Sequence, residues 1–298
     1  MTGMKHISVM TDEVFRYLEA RRKGYYVDCT LGPGGHALQI LKNNPKARLI
    51  GFDIDEISLN LARKNLKPYA DRVVLYHSDF RYLPDLHINF SHIEGIYADL
   101  GVSSFQLNNP ERGFSYNLKG PLDMRMDHRA KTNAAKIINK YSEHNLAEIF
   151  HEYGELRQAK RLAKEIATRR KFRKIETTDE LRRLCERVCR WRPQKGKIHP
   201  AAKVFQALRI EVNQELKELD TFLEKVTYKL KPGARILIIS FHSLEDRIVK
   251  HTFQKFASPN GERPLLKIIT KKPVTPSETE VMKNSRARSA KLRAAERL

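Results

Sequence analysis

Val27-Asp28-Cys29-Thr30-Leu31-Gly32-Pro33-Gly34-Gly35-His36 decides the fold. An apolar, aromatic run ends on an acid, and a glycine-rich turn then opens a helix-like segment. Glycine lets a chain turn tightly and lets backbone approach a ligand closely. In an open α/β sheet such a turn lies where nucleotide-like cofactors bind. The turn alone is ambiguous, because Gly32-x-Gly34-x-x-Ala37 also fits the dinucleotide fingerprint of nicotinamide enzymes.

Outward from this turn, short apolar runs alternate with amphipathic segments. Tyr25–Thr30, Ala47–Asp53, Arg72–His77 and Ile93–Asp99 read as strands, with helices over Gly34–Asn43 and Glu56–Leu66. Strands this apolar belong to a mostly parallel sheet covered on both faces. After Gly101 the pattern breaks. Asn108–Asp127 is irregular, and Thr132 to about Cys189 is helical and heavily charged, with Thr177 and Glu180 spaced as a capping box. A Pro/Gly loop over Trp191–Pro200 precedes a helix running through Phe205 and Leu208 to Leu230. The α/β pattern then resumes with a strand over Ala234–Phe241, a helix over Leu244–Phe256, a strand over Leu265–Thr270 and a basic tail. The reading is one α/β core, residues 1–107 and 205–298, interrupted by a helical insertion over 108–204.

Composition narrows the partners. Lys and Arg outnumber Asp and Glu by 56 to 35, a formal charge of +21 over 298 residues, which favours a polyanionic partner. The densest run is Lys160–Lys174, where a single acid, Glu165, stands among eight cations. Such runs bind phosphates when they are more than a solvated helix face. The tail carries Arg286, Arg288, Lys291, Arg293 and Arg297 and reads as a phosphate contact or a disordered arm. No apolar run approaches the ~20 residues of a membrane span, and Met1–Arg22 does not read as a signal peptide. Three cysteines form no disulfide framework and suggest a reducing cytoplasm. Cys185 and Cys189 lack further ligands nearby, so no metal is expected.

Acids recur at the carboxyl ends of the strands: Asp28, Asp53, Asp79 and Asp99. A lone Asp there usually caps the next helix. Four in series point instead to a cofactor with ribose hydroxyls and positive charge. S-adenosylmethionine fits, carrying a sulfonium and an ammonium and no phosphate, whereas a nicotinamide cofactor needs its pyrophosphate on a helix N-terminus. Phe80, after the third strand, can stack on an adenine. His242-Ser243 is no hydrolytic pair, since neighbours rarely face each other and no Gly-x-Ser-x-Gly elbow exists.

The longer motifs carry a specific resemblance. Asp28-x-Thr30-x-Gly32-x-Gly34-Gly35-His36, Asp99-Leu100-Gly101-Val102-Ser103-Ser104-x-Gln106-Leu107 and Glu111-Arg112-Gly113-Phe114-Ser115 resemble the RsmH (MraW) family. So do Gly120-Pro121-Leu122-Asp123-Met124-Arg125-Met126-Asp127, Ile198-His199-Pro200-Ala201, Phe205–Ile210, Ser240–Arg247 and the closing Arg286–Arg293. Pro33 and Ser285 depart from the family's pattern, and neither falls on an implied contact. The resemblance implies a class I S-adenosylmethionine-dependent methyltransferase with a Rossmann-like, mostly parallel sheet and an inserted helical domain for rRNA recognition. It implies methylation of the exocyclic N4 amine of a decoding-centre cytosine in the 16S rRNA of the small ribosomal subunit. It assigns cofactor contacts to Gly34, Gly35, His36, Asp53, Phe80, Asp99 and Gln106, and Asp99 is the candidate catalytic residue. An exposed apolar helix face in the insertion would allow a homodimer. The rival functions are an NAD-dependent oxidoreductase and a non-catalytic ribosome-assembly factor on the same fold.

Overall fold

The computed structural model describes residues 8–194, 196–258 and 263–298. Residue 195, in the expected Trp191–Pro200 loop, lies outside them. The amino-terminal elements are Thr11–Tyr17 (α1), Gly24–Asp28 (β1), Gly35–Asn43 (α2), Ala47–Asp53 (β2), Glu56–Asn65 (α3), Val73–His77 (β3) and Ile93–Asp99 (β4). Then come Ser104–Asn108 (α4), Ala134–Lys140 (α5), Glu143–Glu152 (α6), Ala159–Arg169 (α7), Thr178–Val188 (α8) and Pro200–Asn213 (α9). The chain closes with Leu219–Lys229 (α10), Arg235–Ser240 (β5), Ser243–Ala257 (α11), Leu266–Ile268 (β6), Glu278–Lys283 (α12) and Lys291–Arg297 (β7). Two compact units result: Met1–Gly101 with Leu216–Leu298, and Val102–Glu215.

The first unit holds a seven-stranded sheet in the order β3-β2-β1-β4-β5-β7-β6. β1 to β5 run parallel, and β7 is antiparallel to both β5 and β6. This Rossmann-like arrangement agrees with the expected class I methyltransferase sheet. Side chains alternate between its faces with the two-residue period of a strand. Val27, Ile96 and Ile238 pack with Phe222, Val226 and Phe253 of α10 and α11. Tyr26, Leu49, Tyr97, Leu237 and Ile239 pack with Val14, Ile40 and Ala62 of α1 to α3. Every residue of β5 is buried, as expected of a strand covered on both faces.

Strand order reverses between β1 and β4, where loops from the two strands lead to opposite sides. The crevice at the carboxyl ends of strands at such a point is where open α/β sheets bind ligands.

The second unit buries its own core, centred on Leu146, Phe150, Leu162, Ile166, Leu181, Cys185, Phe205 and Leu208 of α6 to α9. The expected capping box is present: Thr177 and Glu180 satisfy each other's backbone N–H groups at the start of α8. The unit's bounds are wider than the expected 108–204. α9 contributes Ala201, Val204, Phe205, Ala207, Leu208 and Val212 to this core, so the whole helix belongs to the insertion. The single helix expected through to Leu230 is broken, because Gln214 (φ 52°) and Glu218 (φ 60°) adopt left-handed backbone between α9 and α10.

The carboxyl terminus corrects the sequence reading. The tail is not a disordered arm; residues 291–297 form β7, an interior strand. Arg293, 7% exposed, sends Nε to Asp246 Oδ1 at 2.6 Å and Nη2 to Oδ2 at 3.2 Å. That pairing holds the Asp246 carboxyl below the usual carboxylate range and makes a charged residue tolerable inside the sheet.

Candidate functional site

The turn after β1 is built for close approach. Gly34 (φ 85°) sits in left-handed backbone at the start of α2, where an added Cβ would meet Leu66 Cδ1 at 3.2 Å. A Cβ on Gly32 would meet nothing within 4 Å, so the turn's Gly32 face is open. Asp53, ending β2, accepts from Gly32 N at 2.7 Å and from Asp55 N at 2.8 Å. Burial nevertheless raises its carboxyl to about 6, against the lowering effect of those donors.

Asp28 and Tyr97 face each other across the β1–β4 pair. Tyr97 Oη donates to Asp28 Oδ2 at 2.7 Å and Thr30 N to Oδ1 at 3.1 Å. Burial outweighs both bonds and lifts the Asp28 carboxyl to about 7. Asp99 follows on β4, its backbone N–H donating to Thr30 Oγ1 at 2.7 Å. Its Oδ1 is buried and meets no hydrogen-bond partner among the described residues. Burial, then the nearby charges of Asp28, Glu245 and Glu280, push its carboxyl well above the usual range.

Three acids therefore gather at the carboxyl ends of β1, β2 and β4, each raised by burial against ionising, and Asp99 Oδ1 alone meets no donor among the described residues. An unpartnered buried carboxylate costs folding free energy. A cation with hydroxyl donors, seated over the open Gly32 face, would offset that cost. The donor set fits a sulfonium- and ammonium-bearing ligand.

Other expected contacts are engaged elsewhere. His36 is buried, with Nε2 2.7 Å from the Val9 carbonyl and its ring edge-on to Tyr97 at 5.9 Å. Asp79 is not an open acid: Arg81 Nε lies within 3.0 Å of both its oxygens, and Arg81 N also donates to it. Phe80 packs edge-on against Phe222 at 4.8 Å. Gly35 opens α2. Gln106 lies in the second unit, where its Oε1 caps Ser103 N at 2.9 Å.

His242 caps α11 in a reciprocal box with Glu245, whose Oε2 accepts from Phe241 N at 2.8 Å. In the second unit, His199 caps α9 and stacks on Tyr116 at 5.0 Å, with Trp191 edge-on at 5.0 Å. Asp123 and Asp127 form loop ion pairs with Arg125 and Arg129. Sequence reasoning missed Tyr97, Glu245 and Glu280. Tyr97 left a signal as the one hydroxyl in its strand, and Glu245 as a member of the Ser240–Arg247 motif, whereas Glu280 left none.

Residues 3–298 match the MraW methylase family. The chain belongs to that family. Among its relatives, a ribosomal RNA small subunit methyltransferase H of Carboxydothermus hydrogenoformans is 46% identical over 308 residues, covering 98% of each chain. Proteins of the same name from Trichodesmium erythraeum (45% over 295 residues, 99% and 100% covered) and Gloeothece citriformis (48% over 296 residues, 98% and 94% covered) align as fully. MraW membership assigns the glycine turn to a methylase, and the dinucleotide reading falls away.

The raised Asp28 carboxyl has a measurable consequence. The folded state holds this proton up to about pH 7, whereas the unfolded chain releases it near pH 4. Stability from this group is full below pH 4 and is lost as pH rises to 7, by on the order of 4 kcal/mol. Asp28→Asn keeps an acceptor for Tyr97 and removes the titration. Denaturant midpoints should then fall less between pH 5 and pH 8 in the variant than in the parent. Parallel profiles would assign the proton elsewhere.

Proposed function

We propose that the protein transfers a methyl group from S-adenosylmethionine to the exocyclic N4 amine of a decoding-centre cytosine in 16S rRNA, within the small ribosomal subunit in the cytoplasm. The observation that carries this reading is the unpartnered Asp99 carboxylate at the carboxyl end of β4, in a chain whose relatives are named for small-subunit rRNA methylation. No helix among the described residues is long and apolar enough to cross a membrane.

S-adenosylmethionine supplies an electrophilic methyl on its sulfonium. The chain supplies charge, placement and hydrogen-bond acceptors. Asp99 holds the cationic methionine end, and Asp53 accepts from the ribose hydroxyls. The lone pair of a cytosine N4 amine is delocalised into the ring, which makes it a poor nucleophile. Acceptors for its N–H groups favour a pyramidal nitrogen with the lone pair restored. The carbonyls of Leu100 and Gly101 are suited to this, since no backbone N–H of the described residues donates to them. Holding the amine in line with the methyl contributes several kcal/mol to the rate, on the scale of about 7–11 kcal/mol for ideal intramolecular placement. The base must leave its stack to reach the site.

The test is incubation with unmethylated small subunits and isotope-labelled S-adenosylmethionine, followed by mass-spectrometric mapping. One labelled cytosine, methylated at N4, is the expected product. Cofactor binding without any transfer would identify a non-catalytic assembly factor, and a label on another base would refute the cytosine assignment.

A further inference from the structure

Phe172 is 88% exposed, the most exposed large apolar side chain among the described residues. It is not on a loose loop. The turn that ends α7 is closed by Phe172 N to Arg169 O at 3.0 Å and Arg173 N to Arg169 O at 3.1 Å. Before it, Arg170 Nη1 is anchored on the Ile138 carbonyl at 2.7 Å. After it, buried Ile175 exchanges two hydrogen bonds with the Asn139 side chain, at 2.7 and 3.0 Å. The ring is thus held outward by a backbone pinned on both sides. Burying a Phe is strongly favourable, and this fold leaves the ring in solvent.

The surroundings specify what the ring meets. Arg169, Arg170, Lys171, Arg173 and Lys174 flank it in sequence. Lys160 and Lys164 line up one helical turn apart on α7, and both are exposed. Lys160, Lys164, Arg169, Lys171 and Lys174 make no ion pair among the described residues, whereas Arg173 lies 3.4 Å from Glu180. An apolar protein groove would have to desolvate these cations. A polyanion with flat apolar faces satisfies both features at once, and that describes an RNA strand with an unpaired base. In duplex RNA the bases are already stacked on each other, and proteins read unpaired bases by stacking aromatic rings on them.

We propose that Phe172 is a stacking platform for one unpaired base of the RNA substrate, with Lys171, Lys174 and Arg169 holding the adjoining phosphates. The inference rests on the reading of this protein as one that acts on RNA and adds a site to it.

The test uses the full-length protein and a fluorescent single-stranded oligoribonucleotide of about twelve nucleotides, within the usual footprint of such surfaces, titrated by anisotropy over a range of salt. Phe172→Ala should weaken binding about 5- to 100-fold, the equivalent of about 1–3 kcal/mol per stacked base, without changing the salt slope. Phe172→Trp should restore it. Lys171→Gln with Lys174→Gln should flatten the slope of log affinity against log salt by about 1.4, or ~0.7 per phosphate contact. Duplex RNA should not distinguish Phe172→Ala from the parent. Unchanged single-strand binding by Phe172→Ala, an equal loss on duplex, full rescue by Phe172→Leu, or no binding by the parent would each overturn the platform. Methyl transfer to small subunits, measured on the same preparations, separates the two readings. Strand binding through Phe172 without transfer overturns the proposed activity and leaves the platform standing. Transfer with a neutral Phe172→Ala overturns the platform alone.

Discussion

Asp99→Asn should bind S-adenosylmethionine about ten- to a hundredfold more weakly and should unfold at a higher temperature than the parent. The two effects have one cause. Asp99 Oδ1 is buried without a partner, and three other acids raise the cost of charging it. Replacing the carboxylate with an amide removes that cost, so the folded state gains. The same change removes the charge that a sulfonium- or ammonium-bearing ligand would meet. Hydrogen bonds to charged groups are worth about 1.5–3 kcal/mol, which sets the loss of affinity through the tenfold-per-1.4 kcal/mol relation. Stability given up at a site and recovered by mutation is the usual exchange between activity and robustness. Calorimetry of binding alongside thermal unfolding reads both. Full affinity and full turnover in the variant would remove Asp99 from the site.

Gly113→Ala should destabilise the helical unit by about 3–5 kcal/mol, among the largest effects a single methyl can have. Gly113 has φ 69°, and an added Cβ would lie 2.2 Å from Pro121 O and 2.7 Å from Asp123 N. Both are backbone atoms, so no side-chain rotation relieves the clash. The left-handed conformation alone costs a non-glycine residue about 1–2 kcal/mol. The loop cannot yield easily, because buried Arg112 ties it to the carbonyls of Arg125 (2.9 Å) and Met126 (3.2 Å). Met124 N also donates to Arg112 O at 3.0 Å. Chemical denaturation followed by the Trp191 signal reports on this unit, and a variant that unfolds like the parent would mean the loop has slack. The irregular Asn108–Asp127 segment is therefore a rigid, backbone-knotted piece rather than a flexible connection.

Much of the core was legible because its signals are local. Apolar runs, three of them ending in acids, placed β1 to β5 within a residue or two, and the Asp28–His36 turn placed the start of α2. Features that depend on distant partners were not legible. β7 carries Lys291, Arg293, Glu296 and Arg297 between small alanines, which reads as a solvated tail. Only Asp246, 47 positions away, explains Arg293 inside the sheet. The end of the insertion was misplaced because α9's apolar residues look alike whichever core receives them; packing against α6 and α8 decides the matter. At the site, the acids were readable but their state was not. Asp79 and Asp99 are the same residue type at equivalent strand ends, yet Arg81 neutralises one and nothing described pairs the other.

The placement of β7 orders events during synthesis. As the chain emerges from the ribosome, the helical unit is a continuous stretch whose residues are all available before β7 is made. The sheet is not so placed. β5 has no neighbour on one side, and β6 no partner, until residues 291–297 have been made. Completion of the Rossmann-like sheet must wait until that segment has emerged, while domains generally mature as they emerge. The nascent protein therefore presents an open β5 edge, a pairing hazard for any unfilled strand row, until residues 291–297 close it.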